Sequence, residues 1–330
     1  MLRRLNAILS LIVLAGLAWL GWYASTPVTP AQLPAEFSIA PGTHLRGAAQ
    51  QFEALGLIDQ PTAFVLLGRL LGQAGKVKAG SYLLDQPLSP YQLLNKVTLG
   101  ETLLAKVTVI EGWSFAQMRA AIDANPHLRH DSAGMSDADL LKAIGATEAH
   151  PEGLFFPDTY FFDAGASDLD LYRRAYHTLV GKLASAWQGR VAGLPYASPY
   201  QALIMASIVE KETGAPDERP LIAAVFLNRL RIGMRLQTDP TVIYGLGERY
   251  DGNLRKVDLL TDTPYNSYTR AGLPPTPIAL PSEAAIDAVL HPDSSRALYF
   301  VAKGGGRHQF SNTLDEHNRA VDRYQRGGRG

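Results

Sequence analysis

The segment YQALIMASIVEKET, from Tyr200 to Thr213, decides how the carboxy-terminal half of this chain folds. Apolar residues occur almost all round the turns of the helix that it predicts, as Leu203 and Ile208 illustrate. A helix that is apolar on nearly every side is buried, so we expect a central core helix against which other elements pack. Three charged residues enter this helix, all at its carboxy-terminal end: Glu210, Lys211 and Glu212.

The two glutamates of this helix cannot share a face. Residues two apart on a helix point about 200° apart, so at most one of Glu210 and Glu212 faces any one cleft. Small or apolar neighbours on one side desolvate a carboxylate and favour its protonated form near neutral pH. Glu210 has such neighbours in Leu203, Ala206 and Ser207. Glu210 is therefore the candidate general acid, and a frayed, solvated helix end is the structural alternative.

Polar and aromatic side chains follow in the next segments. A helix predicted from Leu221 to Arg231 closes at Gly233, and the loop RLQTDPTVIYG, Arg235 to Gly245, comes next. A tyrosine-rich block and a rigid proline-rich stretch lie further on. Loops of this kind often carry function, and aromatic and amide side chains hold sugar rings and their hydroxyls. The candidate contacts in these segments are Gln237, Thr238, Asp239, Tyr244, Tyr265, Asn266 and Tyr268.

The amino terminus predicts a membrane anchor. LNAILSLIVLAGLAWLGWY, from Leu5 to Tyr23, is uncharged, follows two arginines, and as a helix spans roughly the ~30 Å hydrocarbon core of a bilayer. The arginines favour a cytoplasmic amino terminus, and Trp19, Trp22 and Tyr23 would lie in an interfacial aromatic belt on the far side. A cleavable signal peptide is the alternative, but bulky residues rather than a small-x-small site follow the apolar segment.

Composition excludes several classes of protein and site. The chain has 31 Lys and Arg and 31 Asp and Glu, and a neutral balance argues against a surface that attracts nucleic acid. The absence of cysteine excludes disulfides, zinc-thiolate sites and thiol nucleophiles. His127 and His130 are spaced H-x-x-H without the acidic helical partner of a zinc motif, so we assign no metal. Serine-hydrolase patterns are also missing.

The pattern of elements predicts an α+β protein in four parts. Residues 1–25 form the cytoplasmic tip and anchor, residues 26–35 a linker with prolines, and residues 36–150 and 151–330 two folded regions. In the first region, strand and helix patterns alternate: a strand at 37–39, a helix from Ser89-Pro90 to Gly100, a strand at 107–110 and an N-cap at Ser114. The polar stretch from Ser132 to Pro151 predicts a helical connector.

Several long blocks resemble one known family. EGWSFAQM, EGLFFPDTYFF (Glu152 to Phe162), the core helix, the QTDPT loop, PYNSYTRAGLPPTPIALP and LYFVAKGGGRHQFSNTLDEHN are similar, in order and spacing, to the blocks of the YceG-like endolytic murein transglycosylases. The resemblance covers nearly the whole chain behind the anchor. It implies a single-pass protein of the bacterial inner membrane with a periplasmic body, a LysM-like region at 36–150 and a catalytic domain at 151–330.

The resemblance also implies a reaction and a site. The family cleaves the MurNAc-β-1,4-GlcNAc bond within nascent peptidoglycan strands, which forms 1,6-anhydro-MurNAc ends and terminates strand elongation. Its essential glutamate lies in the block that reads SIVEKET here and carries over to Glu210. Three blocks match positions that line or support the cleft in the family: the FPDTY block with Asp158 and Tyr160, the QTDPT loop and the YNSY block. No cofactor or metal is implied, and the expected partners are the nascent glycan strand, the membrane and peptidoglycan synthases.

In the expected reaction, one carboxyl acts first as an acid and then as a base. Glu210 would protonate the bridging oxygen as an oxocarbenium-like centre develops, and its carboxylate would then accept the proton of the same sugar's C6 hydroxyl, which attacks C1 in place of water. An ordinary glycosidase needs a second carboxylate, so a hydrolytic muramidase that uses Asp239 or Asp158 is the enzymatic alternative. A non-catalytic, membrane-anchored glycan-binding scaffold is the third hypothesis.

Overall fold

The computed structural model describes residues 2–30 and 33–327, and these residues form two compact units. The first unit contains the described residues up to Lys106, together with His127–Arg129 and Phe161–Ala166. The second contains Val107–Pro126, His130–Tyr160 and the described residues from Ser167 onward. Helices and strands are mixed along the chain, which confirms the α+β class. Residues 31 and 32 of the predicted linker lie outside the described residues.

The first unit begins with a long apolar helix, α1 (Leu2–Ser25). Among the described residues, it is the one helix long and apolar enough to cross a membrane, over Asn6–Ser25. Trp19 and Trp22 are exposed, as an interfacial belt requires, but Tyr23 is not. Leu20 and Tyr23 are only 7% and 4% exposed. The Tyr23 hydroxyl donates to the carbonyl of Gln60 at 3.0 Å. Tyr23 therefore belongs to the core of the first unit.

Two strands and three helices complete the core of this unit. They are β1 (Ala35–Ile39), α2 (Leu45–Ala54), α3 (Pro61–Leu70), β2 (Gly80–Leu84) and α4 (Pro90–Leu99). β1 and β2 are antiparallel, with Phe37 opposite Tyr82. Alternate residues of a strand face one side, and Phe37 accordingly packs edge-on against Phe52 of α2, with ring centroids 5.2 Å apart. The predicted start and end of α4 are confirmed by a capping box at Ser89 and a left-handed Gly100.

Shorter elements follow between residues 104 and 167. They are β3 (Leu104–Thr108), α5 (Phe115–Asp123), β4 (Leu128–Arg129), α6 (Asp137–Ile144), β5 (Thr159–Asp163) and β6 (Ala166–Ser167). The strand predicted at 107–110 begins three residues earlier than expected. Ser114 caps α5 as predicted, and the side chain of Gln117 completes the capping box. The helix expected in the polar stretch is α6.

The remaining elements belong to the second unit. They are α7 (Asp168–Gly189), α8 (Pro199–Glu212), α9 (Arg219–Arg231), α10 (Asp239–Leu246), α11 (Lys256–Leu260), α12 (Glu283–Leu290), β7 (Tyr299–Gly304), β8 (Arg307–Ser311) and α13 (Leu314–Tyr324). A 3₁₀ turn, Pro216–Glu218, joins α8 to α9. Strands β7 and β8 form an antiparallel hairpin in which Val301 faces Gln309.

Helix α8 is the central helix of this unit, as its sequence predicts. All residues from Ala202 to Val209 are buried. They are covered on different sides by α7, α9, α10 and α12. Such burial on every side follows from the absence of a polar stripe, because only the carboxy-terminal turn carries charge. Ser198 caps the helix by accepting a hydrogen bond from the backbone of Gln201.

The break between the two units does not coincide with the boundary expected at residue 150. Helix α5 packs with the second unit, because the ring of Phe115 stacks on Phe155 with centroids 5.4 Å apart. The backbone N–H of Phe115 also donates to Glu152 at 3.0 Å. These contacts place residues 107–126 with the second unit and leave the preceding residues in the first.

Candidate active site

The two glutamates at the end of α8 have different surroundings, as the helix geometry requires. Oε2 of Glu210 accepts hydrogen bonds from the backbone N–H and the hydroxyl of Ser282, which caps α12. Oε1 of Glu210 lies 3.5 Å from the guanidinium of Arg219, and only 7% of the glutamate side chain is exposed. Glu210 therefore connects α8 to the starts of α9 and α12, with both carboxylate oxygens engaged inside the chain.

Glu212 instead lines a cleft of about 530 Å³ in the second unit. Helix α10, the hairpin β7–β8 and helix α13 supply the other walls. Thr238 donates its hydroxyl hydrogen bond to Oε1 of Glu212. Six further residues give the cleft its polar and aromatic character: Arg229, Gln237, Asp239, Tyr268, Tyr299 and His308. This cleft holds the side chains that we expect of a polysaccharide site.

The surroundings of Glu212 raise its pKa above the ordinary value of a glutamate. Burial is the largest cause that raises the pKa of Glu212, and the negative charge of Asp239 adds to it. The hydrogen bond from Thr238 and the charges of His308 and Arg229 oppose this rise. A carboxyl whose pKa is raised in a cleft is suited to act as a general acid.

The QTDPT segment reaches the cleft through an unusual backbone conformation. Of the non-glycine residues that the structure describes, Gln237 is the one with a positive φ, 50°. Such a backbone is strained for a residue with a side chain and is often found at functional sites. Thr238 and Asp239 follow at the start of α10, so the segment expected as a loop is partly helical. The turn brings Gln237 and Asp239 to the cleft wall.

A hydroxyl network joins the QTDPT segment to the YNSY block. The backbone N–H of Thr238 donates to the hydroxyl of Ser267 at 3.0 Å, and the hydroxyls of Ser267 and Thr241 are 2.8 Å apart. On the cleft side, the phenol of Tyr268 donates to the carboxylate of Asp239. The two blocks that the sequence singles out therefore lie together, and they fix the wall opposite Glu212.

The structure places the other predicted contacts away from this cleft. Tyr244 and Tyr265 pack on each other edge to face at 4.8 Å, and their hydroxyls bond to Glu152 and Thr276. Tyr160 is buried and donates to the carbonyl of Phe156. Asp158 is exposed, and its carboxylate accepts the backbone N–H of Thr159. None of Asp158, Tyr160, Tyr244 and Tyr265 lines the cleft that contains Glu212.

Asn266 has a different role from the expected glycan contact. Its side chain is fully buried, and its amide donates to the backbone carbonyls of Asp258, Leu259 and Thr261. Its side-chain oxygen accepts the backbone N–H of Tyr268 at 2.9 Å. These bonds leave no group for a sugar, so Asn266 acts as a buried clamp between α11 and the YNSY block.

The buried neighbours that favour Glu210 as an acid in the sequence have a counterpart at Glu212. Glu212 follows Met205, Ile208 and Val209 on its own side of α8, and all three are fully buried. Desolvating neighbours on one side of the helix therefore could not separate the two glutamates. The walls of the cleft separate them, and two of these wall residues, Arg229 and His308, have no local sequence pattern that indicates a site.

A second carboxyl with raised proton affinity lies behind the site. Glu152 is 3% exposed, and burial raises its pKa to about 7, although hydrogen bonds from the Phe115 backbone and the Tyr244 hydroxyl oppose the rise. Because the folded state binds this proton more tightly than the unfolded chain, the free energy of unfolding falls as pH rises from about 4.5 to about 7. At about 1.4 kcal/mol per tenfold change in proton affinity, the fall is at most roughly 3.5 kcal/mol.

Glu152→Gln is expected to remove this pH dependence, because a neutral amide of the same shape has no proton to lose. Urea denaturation of the full chain in detergent at pH 5 and pH 8 measures it. The free energies of unfolding of the variant and the parent should differ more at pH 8 than at pH 5. From pH 5 to pH 8, the variant should lose less of this free energy than the parent. Glu248→Gln, at an exposed glutamate, is the matched control. Equal slopes in the parent and the Glu152 variant would contradict the assignment.

One group of side chains in the described residues brings metal-type donors together. Asp123, His130 and Asp168 each place one possible ligand atom within 4.8 Å of the other two. Asp168 already accepts the backbone N–H and hydroxyl of Ser132, and it lies in the first turn of α7, where a carboxylate is stabilising. The structural role of Asp168 explains this cluster, and we assign no metal to it.

Comparisons with known proteins identify the family of the chain. The model of the YceG-like family matches residues 37–323. The endolytic murein transglycosylase of Bacillus subtilis (strain 168) is 32% identical over 304 residues, which cover 87% of this chain and 84% of that protein. The endolytic murein transglycosylase of Streptococcus pneumoniae serotype 2 is 27% identical, and the match covers 86% of this chain but 57% of the relative.

A solved structure is similar over most of its length. The crystal structure of a YceG-like protein from Listeria monocytogenes has a TM-score of 0.55 and 29% sequence identity, and the match covers 86% of this chain and 98% of that one. The family match covers most of the first unit and nearly all of the residues that line the cleft with Glu212. The chain is therefore a member of the YceG-like family.

Proposed function

We propose that this protein is an endolytic peptidoglycan lytic transglycosylase and that Glu212 is its general acid. The observation that carries the proposal is a carboxyl with raised pKa in a cleft bordered by polar and aromatic side chains. The names of the Bacillus and Streptococcus relatives support murein as the substrate. Glu210, which the sequence favours, has both oxygens occupied by Ser282 and Arg219, so we assign it a structural role.

In the proposed reaction, a glycan strand lies in the cleft with the MurNAc-β-1,4-GlcNAc bond beside Glu212. Glu212 donates its proton to the bridging oxygen as the bond from C1 to that oxygen breaks. The C6 hydroxyl of the same MurNAc attacks C1 from within the sugar, so the new end is 1,6-anhydro-MurNAc. The hydroxyl of Thr238 donates to Oε1 of Glu212, which keeps the acid at a fixed position, and Arg229 lines the same cleft.

A hydrolytic muramidase is the second candidate, and one observation favours it. Asp239 lines the same cleft as Glu212 and could act as the second carboxylate that a hydrolase needs. The hydroxyl of Tyr268 already donates to the carboxylate of Asp239. Asp239 is exposed to solvent. Asp158, the other carboxylate considered for this role, is not among the residues that line the cleft.

The products separate these two reactions. We expect the full chain in detergent, given purified uncrosslinked glycan strands, to release internal fragments whose new ends are 1,6-anhydro-MurNAc. Mass spectrometry measures this directly, because an anhydro end is lighter than a reducing end by one water. Products with reducing MurNAc ends would establish the hydrolase instead, and strands that are bound but uncut would establish the scaffold.

We further propose the surroundings in which the reaction takes place. Helix α1 would span the inner membrane once, with its amino terminus cytoplasmic and the body in the periplasm, which the arginines before the apolar segment support. The order β1–α2–α3–β2 supports a LysM-like region. Peptidoglycan synthases are the proposed partners.

Because the chain has no cysteine, a single cysteine introduced at an exposed site would test the topology with an impermeant thiol reagent.

A further inference from the structure

A buried carboxylate and a histidine form a pair at the edge of the Glu212 cleft. Nδ1 of His308, on β8, lies 2.8 Å from Oε2 of Glu218, at the end of the 3₁₀ turn between α8 and α9. The backbone N–H of His308 donates to the same carboxylate at 3.1 Å. Glu218 is 6% exposed, so this carboxylate is directed at the histidine rather than at solvent. The pair is fixed to the segment that directly follows Glu212.

This contact sets the proton pattern of the imidazole. A carboxylate accepts hydrogen bonds, so Nδ1 of His308 carries the hydrogen and donates it to Glu218. Nε2 is then the acceptor nitrogen of the neutral ring. Within the part of the chain that the structure describes, no residue hydrogen-bonds Nε2, while the side chain lines the cleft. A base oriented by a carboxylate in this way is the arrangement that enzymes use to remove a hydroxyl proton.

We propose that His308, held by Glu218, is the catalytic base that accepts the C6 hydroxyl proton during strand cleavage. The inference rests on the proposed lytic reaction and assigns its second proton. Glu212 and His308 would then divide the work, one as the acid and the other as the base, on two walls of one cleft. Neither side chain would need to change its role within a single catalytic event.

The bonds and protons balance as follows. The Glu212 proton moves to the bridging oxygen, the bond from that oxygen to C1 breaks, and the bonding electrons stay with the oxygen. The C6 oxygen forms the new bond to C1, and its proton moves to Nε2 of His308. The products are an anhydro end, a free hydroxyl on the departing sugar, a Glu212 carboxylate and an imidazolium paired with Glu218. Proton transfer from Nε2 to Glu212 through water restores both groups.

The other groups around the pair suit this role. Arg307 lies 3.7 Å from Glu218 and is bound mainly by Asp217, so Glu218 keeps its contact with the imidazole. The ring of Phe300 packs edge-on against His308, with centroids 5.3 Å apart, and the ring of Phe310 lies 6.4 Å away. These rings restrict the imidazole without offering it a proton acceptor. The groups that face Glu212 itself are Thr238, Asp239, Tyr268, Arg229 and His308.

His308→Ala is expected to lower kcat of the full chain by about 10²-fold with little change in KM, because general-base work contributes about this much. Added imidazole should restore part of the rate, in proportion to its unprotonated fraction, because a small base can occupy the space that the side chain leaves. His317→Ala is the matched control, since His317 lines the same cleft without a carboxylate partner, and imidazole should not change its rate. Glu218→Gln should lower kcat about 10-fold without rescue.

Two results would overturn the proposal. Parental kcat in His308→Ala would show that the imidazole takes no proton. A folded variant that binds strands, cleaves them slowly and does not respond to imidazole would make His308 a structural residue. Failure of the lytic function itself is a separate outcome, because the parent protein would then yield no anhydro ends.

Discussion

Glu212→Gln is expected to lower the rate of glycan strand cleavage by about 10²- to 10⁴-fold, the range that general acid catalysis contributes. Glutamine has the same shape and can still accept the hydrogen bond from Thr238, but it has no proton to donate to the bridging oxygen. Strand binding should persist, so the loss should fall on kcat rather than on KM. Single-turnover cleavage of labelled strands by the full chain in detergent measures both quantities.

Glu210→Gln is the matched control for this experiment, two residues away on the same helix. It replaces a carboxylate that pairs with Arg219 and Ser282, so we expect a loss of stability rather than of the chemical step. Removal of one partner of a poorly exposed ion pair can cost several kcal/mol. Cleavage per folded molecule should stay near that of the parent. The opposite result, with Glu212→Gln active and a folded Glu210→Gln inactive, would return the catalytic role to Glu210.

Asn266→Ala is expected to reduce the free energy of unfolding by roughly 3 kcal/mol, since buried groups that lose their partners cost about 1–3 kcal/mol each and do not add fully. The change leaves the carbonyls of Asp258, Leu259 and Thr261 and the N–H of Tyr268 without this partner. Urea denaturation of the full chain in detergent, followed by tryptophan fluorescence, gives the difference.

The control for Asn266 is Asn253→Ala, an exposed asparagine in the same part of the second unit. Surface substitutions of this kind usually change stability by less than about 0.5 kcal/mol. A glycan-binding role for Asn266 would give a different pattern, in which stability is unchanged and KM for strands rises. That pattern would refute its assignment as a buried clamp.

The features that could be predicted from the sequence are those that neighbouring residues determine. Ser89, Ser114 and Gly100 mark helix ends through backbone hydrogen bonds and a left-handed turn, and the structure has them at those positions. The apolar run of α8 made it the central helix for the same reason, since burial follows from the whole stretch. The QTDPT and YNSY blocks also meet, as the family resemblance implied.

The features that could not be predicted depend on contacts between distant segments. Glu210 and Glu212 both have buried neighbours along α8, and contacts from outside the helix distinguish them: Ser282, 72 residues beyond Glu210, binds the carboxylate of Glu210. The same applies to His308, whose partner Glu218 is 90 residues away. Tyr23, an aromatic residue at the end of an apolar helix, fits an interfacial belt by its residue type. Its hydrogen bond to the carbonyl of Gln60 shows instead that it packs in a core.

The burial of Leu20 and Tyr23 limits how far the first unit can move from the end of α1. If residues 26–34 were a flexible chain, their root-mean-square end-to-end distance would be about 15–18 Å, at about 5–6 Å times the square root of the number of residues. The first unit could then move by this distance from the end of α1. Val28 pairs with Leu88 and the last turn of α1 is part of the first unit, so that freedom is largely lost. With α1 in a bilayer, the first unit would therefore stay at a nearly constant distance from the membrane surface.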